Sequence, residues 1–191
     1  MDMYLNSKKQ RIKKFFKALF LWIIEIALVI LMAFLIIEYG VEKTTMMGVS
    51  MNTTLNDGEK IIINKLAYLR REPERNDVIV FSQSKSGHGY YNIKRVIGLP
   101  GETVEIVNGE VYIDGKKLQE VISVEAMRVA GLADEAIQLG ENEYFVLGDN
   151  RNYSEDSRFA NIGIIVRSDI IGKAWMRLEP FSIIDKINRK D

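Results

Sequence analysis

The chain contains no cysteine among its 191 residues. Disulfides, zinc–thiolate centres and thiol nucleophiles are therefore excluded. A single histidine, His88, leaves little from which to build imidazole catalysis. It sits in Ser82-Gln83-Ser84-Lys85-Ser86-Gly87-His88-Gly89, a flexible, solvated stretch unsuited to fixing a ring for a Ser-His-Asp triad. Net charge is also lacking: 26 basic side chains balance 26 acidic ones. That balance excludes a globally basic nucleic-acid binder. No internal repeat or low-complexity linker is present.

The charge that exists is unevenly spread. Residues 1–17 hold Lys8, Lys9, Arg11, Lys13, Lys14 and Lys17 against Asp2, which is +5 at that end and −5 for the rest. Ala18 to Ile37 comes next, twenty residues in which Glu25 is the one polar member. A helix of that length spans about 30 Å, the hydrocarbon thickness of a bilayer. Glu38, Glu42 and only Lys43 flank its far side. The asymmetry places the N-terminus in the cytoplasm and the remainder outside. Ile36-Ile37-Glu38-Tyr39 offers no small-x-small cleavage site, so the segment reads as an uncleaved signal-anchor. The expected organisation is a basic cytoplasmic segment (1–17), a transmembrane helix (18–39) and an extracytoplasmic domain (40–191).

Beyond the anchor the pattern shifts to period two and β-branched runs. Lys60–Asn64, Asp77–Phe81, Tyr90–Ile97 and Glu143–Leu147 read as strands, as do Ile162–Val166 and Ile170–Leu178. Val104–Val107 and Glu110–Ile113 flank Asn108-Gly109, the pair that a tight type I′ hairpin favours. Asp114-Gly115 marks a second turn. Ser123–Ala136 is the one helix-like or irregular excursion: its Ala, Glu and Met content suits a short helix, which Gly131 weakens. The fold class is mostly β, a twisted antiparallel sheet on one membrane helix.

The chemistry gathers in three blocks. Gly48-Val49-Ser50-Met51 stands just past the anchor, Lys94-Arg95-Val96-Ile97-Gly98-Leu99-Pro100-Gly101-Glu102 comes next, and Gly148-Asp149-Asn150-Arg151 runs on to Arg158. A serine hydroxyl is a poor nucleophile without a base. A lysine can be that base if burial keeps its amine neutral. On an alternating strand Lys94 shares a face with Val96, which turns the amine inward.

These blocks resemble the type I signal peptidases, membrane-anchored serine endopeptidases that remove signal peptides from secreted preproteins. Ser50-Met51 with Thr54-Leu55 matches the nucleophile block, Lys94 to Gly101 the base block, and Gly148 to Arg158 the last block; Ile171-Gly172-Lys173-Ala174-Trp175 matches the final strand. The resemblance runs from about Met46 to Phe181. It implies that Ser50 attacks the scissile carbonyl to form an acyl-enzyme and that Lys94 takes the proton. Ser154 would orient the Lys94 amine, and the Ser50 N–H would form part of an oxyanion hole. Asp149 with Arg95, and Asp156 with Arg158, would be ion pairs shaping the site. Ile93, Ile61, Met51 and Met46, with Thr44, would wall shallow pockets for small side chains before the cut. The family needs neither metal nor organic cofactor. Its partners are preproteins and membrane lipid, with the secretion translocon a further candidate.

Several positions depart from the family pattern. Thr53 stands where proline is common, which loosens the turn after the nucleophile. Gly48 lacks a hydroxyl that could supply the side-chain half of the oxyanion hole. Tyr153 replaces a small polar residue, and Asn92 an aromatic one. A non-hydrolytic accessory factor is the competing reading; the presence of both Ser50 and Lys94 discriminates against it. A self-cleaving repressor would need a helix-turn-helix where the anchor lies.

Overall fold

The computed structural model describes residues 2–82 and 91–187. Two compact units emerge from the contacts, residues 1–40 and 41–191.

The first unit is one helix, α1 (Asp2–Leu35), whose end widens into a π-helical turn over Ile36–Gly40. Residues 13–40 are long and apolar enough to cross a membrane. The large apolar side chains from Phe15 to Ile37 are at least 41% exposed, which is the opposite of a soluble core helix.

The second unit is built on antiparallel strands. β1 (Val41–Thr45), β2 (Lys60–Asn64), β3 (Val78–Phe81), β4 (Asn92–Gly98), β9 (Glu143–Leu147), β10 (Ile165–Val166) and β11 (Ile170–Arg177) form one sheet in the order β1-β2-β11-β3-β4-β9-β10, with β12 (Ser182–Ile183) paired to β11. β5 (Thr103–Val107), β6 (Glu110–Ile113), β7 (Lys116–Lys117) and β8 (Ile137–Gln138) form a second, in the order β7-β6-β5-β8. Both hairpin turns take the left-handed backbone that type I′ geometry requires: Asn108 and Gly109 have φ of 52° and 78°, Asp114 and Gly115 of 50° and 73°.

Three apolar clusters hold these layers. One, with Met46, Met51, Leu55, Ile61 and Ile93, packs the loop between β1 and β2 on the large sheet. A second, with Ile97, Val104, Phe145 and Leu147, joins the two sheets. The third, with Ile79, Phe81, Val96 and Tyr144, fills the region around β3, β4 and β9.

Some expectations change. Of the two readings of residues 123–136 the irregular one holds: the one helical piece is a 3₁₀ turn, Gly131–Asp134. Gly131 begins it at φ +60° with its Cα against the Arg158 carbonyl, a placement no continuous helix could keep. The stretch is instead bound to the last sequence block: Leu132 donates its N–H to Arg158 O, and Arg128 its N–H to Asn152 Oδ1. β10 covers only the end of the expected 162–166 strand, because Gly163 turns the chain at φ +65°. β4 starts at Asn92; Tyr90 and His88 lie outside the described residues. β1, β7, β8 and β12 have no counterpart among the expected strands. All are short or half-exposed, without the alternation of a buried strand.

Candidate active site

Ser50 is presented by a loop between β1 and β2 that is closed at its base. Met46 N–H donates to Glu59 O, and Gly58 N–H to Met46 O. Gly48, at φ +79°, donates its N–H to Asp57 Oδ1 at 2.7 Å. Buried Met51 and Leu55 anchor the loop in the core. The turn after Ser50 is tightly held rather than loosened: Thr54 and Leu55 both donate their N–H to Met51 O. Thr53 sits there at φ +87°, a backbone that the fixed φ of proline could not follow.

Lys94 enters from β4, opposite Ile79 on β3. Its side chain is buried, with the residue 5% exposed, and Nζ lies 2.7 Å from Ser50 Oγ. Burial disfavours the ammonium form and brings the Lys94 pKa down to about 8, against the pull of Asp156, Glu155 and Asp149. In its neutral state the amine has a lone pair that can accept the serine proton.

Two buried ion pairs frame this contact. Asp149 receives Arg95 Nε at 2.8 Å and Nη2 at 2.7 Å, a bidentate fork. The same carboxylate accepts the Thr54 hydroxyl at 2.5 Å, so it ties β4 to the loop that carries Ser50. Asp156 receives Arg158 Nε at 2.7 Å and Nη2 at 2.9 Å, and also the Gly148 N–H at 3.1 Å. Arg158 reaches further, to the carbonyls of Arg151 and Val129.

Ser154 departs from the expected contact. Its hydroxyl donates to the Glu155 carbonyl at 3.4 Å, not to the Lys94 amine. It nevertheless stands beside the centre. A Cβ added to Gly148 would fall 2.1 Å from Ser154 Oγ and 2.5 Å from the Ser50 carbonyl oxygen, so only glycine fits between them.

The four expected pocket residues, Met46, Met51, Ile61 and Ile93, meet in one cluster and are at most 4% exposed. Beside them, among the described residues, the sheet leaves strand edges unpaired. Asn92–Lys94 pair with β3 on one side, whereas β9 joins β4 only from Arg95 onward. Among the described residues β1 likewise pairs only with β2, where Thr44 lies opposite Ile61. Tyr91 OH donates to Glu42 Oε1 at 2.8 Å, linking the two open edges.

Some residues that build the site carry no role in the sequence pattern. Asn150 donates its N–H to Ser50 O and its side-chain amide to Val49 O, each at 3.0 Å. Thr54 and Arg151 act as connectors in the same way. All three lie inside the blocks already recognised, but their partners are distant in sequence and no local spacing reveals them.

Known proteins resemble this chain along most of its length. A sequence model described as "Signal peptidase, peptidase S26" matches residues 19–179. Signal peptidase IB of Staphylococcus aureus (strain Mu50) is 35% identical over 183 residues, covering 87% of this chain and 92% of that protein. Signal peptidase I of Bacillus licheniformis is 33% identical over 189 residues, covering 95% of this chain and 99% of that one. A crystal structure of a signal peptidase I from Enterococcus faecalis aligns with a TM-score of 0.41 and 31% identity, covering 54% of this chain and 97% of that one. With a family match over most of the chain and relatives aligned almost end to end, the chain belongs to the S26 signal peptidases, the serine peptidases that remove signal peptides.

Proposed function

We propose that Ser50 and Lys94 form the catalytic dyad and cleave through an acyl-enzyme. The observation that carries this reading is the 2.7 Å contact between Lys94 Nζ and Ser50 Oγ, made by a buried lysine whose pKa is about 8.

Neutral Lys94 takes the hydroxyl proton as Ser50 Oγ bonds to the carbonyl carbon of the scissile peptide. The Ser50 N–H donates to the developing oxyanion. The Lys94 ammonium then returns its proton to the leaving amine, and the mature protein departs with a free N-terminus. The signal peptide stays on Ser50 as an ester. Lys94 next removes a proton from water, whose oxygen attacks the ester carbonyl. The proton passes to Ser50 Oγ, and the signal peptide leaves as a carboxylic acid that ionises in water.

Asp149–Arg95 and Asp156–Arg158 hold the two halves of the dyad in register, and Ser154 packs the Gly148 side. The substrate adds as an extended strand at the open edges of β1 and β4. Its small side chains settle over Met46, Met51, Ile61 and Ile93. The apolar helix over residues 18–39 anchors the enzyme, with residues 1–17 cytoplasmic on anionic lipid and residues 40–191 outside. The translocon delivers preproteins to that face.

The test is cleavage of a model preprotein bearing Ala-x-Ala by the detergent-solubilised full chain. Wild type cuts after the second alanine, while Ser50→Ala and Lys94→Ala remain folded and lose activity by about 10³-fold or more. Wild-type turnover in either variant overturns the dyad.

A further inference from the structure

One departure from the family pattern changes the floor of the substrate groove. Asn92 stands where an aromatic is common, and the aromatic residue is its neighbour Tyr91. A step of one residue along a strand reverses the face. Tyr91 therefore shares a face with Ile93, and its ring packs on the apolar cluster that contains Met46, Ile61 and Ile93. On β1 the same alternation joins Glu42 with Thr44: both are half-buried, whereas Lys43 and Thr45 are exposed. Tyr91 and Glu42 each lie two residues farther from the dyad along the chain than a residue expected to wall the pockets, Ile93 and Thr44.

The two side chains meet tip to tip. The phenol donates to Glu42 Oε1 at 2.8 Å, and Oε2 accepts from Lys65 Nζ at 3.1 Å. Lys65 directly follows β2, so the carboxylate is held from the strand that pairs with β1. The bond to Glu42 first, and burial second, push the Tyr91 phenol above its usual pKa, so it keeps the proton it donates. Lys65–Glu42–Tyr91 thus bridges two strand edges that, among the described residues, have no backbone partner on that side. Directly paired strands stand about 4.8 Å apart, and two strands with a third between them about 9.6 Å. A tyrosine and a glutamate joined at their tips are long enough for the wider gap. The free edge of β4 runs from Lys94 back to Asn92, because β9 occupies it from Arg95 onward. A peptide that leaves the dyad along that edge passes Ile93 and then reaches the bridge. At about 3.3 Å per residue, Tyr91 stands about 10 Å along the strand from Lys94, level with the third or fourth residue before the cut.

We propose that the Lys65–Glu42–Tyr91 bridge is a strut that keeps β1 and β4 one strand apart, making Tyr91 and Glu42 positioning residues for the signal half of the substrate. The proposal rests on the Ser50–Lys94 reading, which sets the cut at Ser50 and the signal half over Ile93. The peptide then meets two edges already at pairing distance and adds between them without moving β1. Cutting the bridge frees the β1 edge and weakens binding. The dyad is held by its own ion pairs and keeps its rate.

The test uses the detergent-solubilised full chain and a peptide carrying seven residues before the cut. Tyr91→Phe and Glu42→Ala should each raise KM about tenfold, with kcat within about twofold of wild type. The double variant should be no worse than either single one, since both remove the same bond. Glu42→Gln keeps an oxygen for the phenol and should recover most of the loss. Unchanged KM in the single variants, multiplied effects in the double one, or Glu42→Gln as weak as Glu42→Ala overturns the strut. Binding gives a reading independent of turnover. In the Ser50→Ala enzyme, adding Tyr91→Phe should raise the Kd of the fluorescently labelled peptide about tenfold, and an equal Kd overturns the strut. Wild-type turnover in Ser50→Ala strikes instead at the Ser50–Lys94 reading, and the strut falls with it.

Discussion

At the scale of single residues, Lys94 carries opposing demands. A lysine pKa of about 8 leaves about a tenth of the amine neutral at pH 7, enough to act as a base. Cleavage should therefore rise with pH and level off above an apparent pKa near 8. Glu155 is exposed and pulls that value upward, so Glu155→Gln makes the ammonium less favourable and moves the acid limb to lower pH. The pH profile of kcat/KM for the two enzymes is the check; an unmoved or upward-shifted limb contradicts the assignment. The same burial costs stability. The unfolded chain holds its lysine proton up to about pH 10.5, the folded one only to about 8. Between those values the unfolded state binds more protons, so stability rises with pH; below 8 the full penalty of about 3 kcal/mol is present. Lys94→Met should thus be inactive yet more stable at pH 7, its melting temperature higher by several degrees. It should also lose the rise of stability with pH that Lys94 contributes between 8 and 10.5.

At the scale of elements, the Asp149–Arg95 fork joins β4 to the nucleophile loop through Thr54. Arg95→Met strands a buried carboxylate and should lower stability by about 3–5 kcal/mol. The double variant Arg95→Met/Asp149→Leu removes both charges and should regain most of it in urea unfolding. Its activity should stay low, because Thr54 loses the partner that positions Ser50. This clamp also marks how far the sequence can be read. The strands around it are legible because Val78 to Phe81 is an apolar run bounded by turn residues and because β-branched Ile93, Val96 and Ile97 flank Lys94 and Arg95. The hairpin at Asn108-Gly109 is legible because few residues tolerate its backbone. β1 is not, since an edge strand with Glu42, Lys43 and two threonines lacks a buried face to impose a pattern. The 123–136 stretch reads two ways because its composition favours helix while Gly131 opposes it, and hydrogen bonds to Asn152 and Arg158 decide its path. The dyad and its ion pairs come from motif resemblance; no periodicity could place Ser50 against Lys94, 44 residues away. Ser154 shows the limit of that route. The motif names the residue but does not fix where a hydroxyl rotor donates its bond.

At the scale of the whole molecule, the proposed anchoring makes orientation in the membrane decide whether the site meets its substrate. Six basic side chains in residues 1–17 face a far flank with Glu38, Glu42 and Lys43, and the span between them has one ionisable residue. The charge difference, not the span itself, sets direction, because apolar residues read alike from either end. Protease added to intact protoplasts should digest the 41–191 unit and spare a short N-terminal piece carrying the helix. Replacing Lys8, Lys9, Arg11, Lys13, Lys14 and Lys17 with glutamine removes the retaining charge while leaving every residue of the site in place. A fraction of that variant should insert reversed and become protease-resistant in protoplasts. Its detergent-solubilised activity on short peptides should match wild type, while preprotein processing in cells falls with the reversed fraction. Full resistance of the wild-type domain in intact protoplasts would place the dyad in the cytoplasm, where translocated signal peptides are beyond its reach.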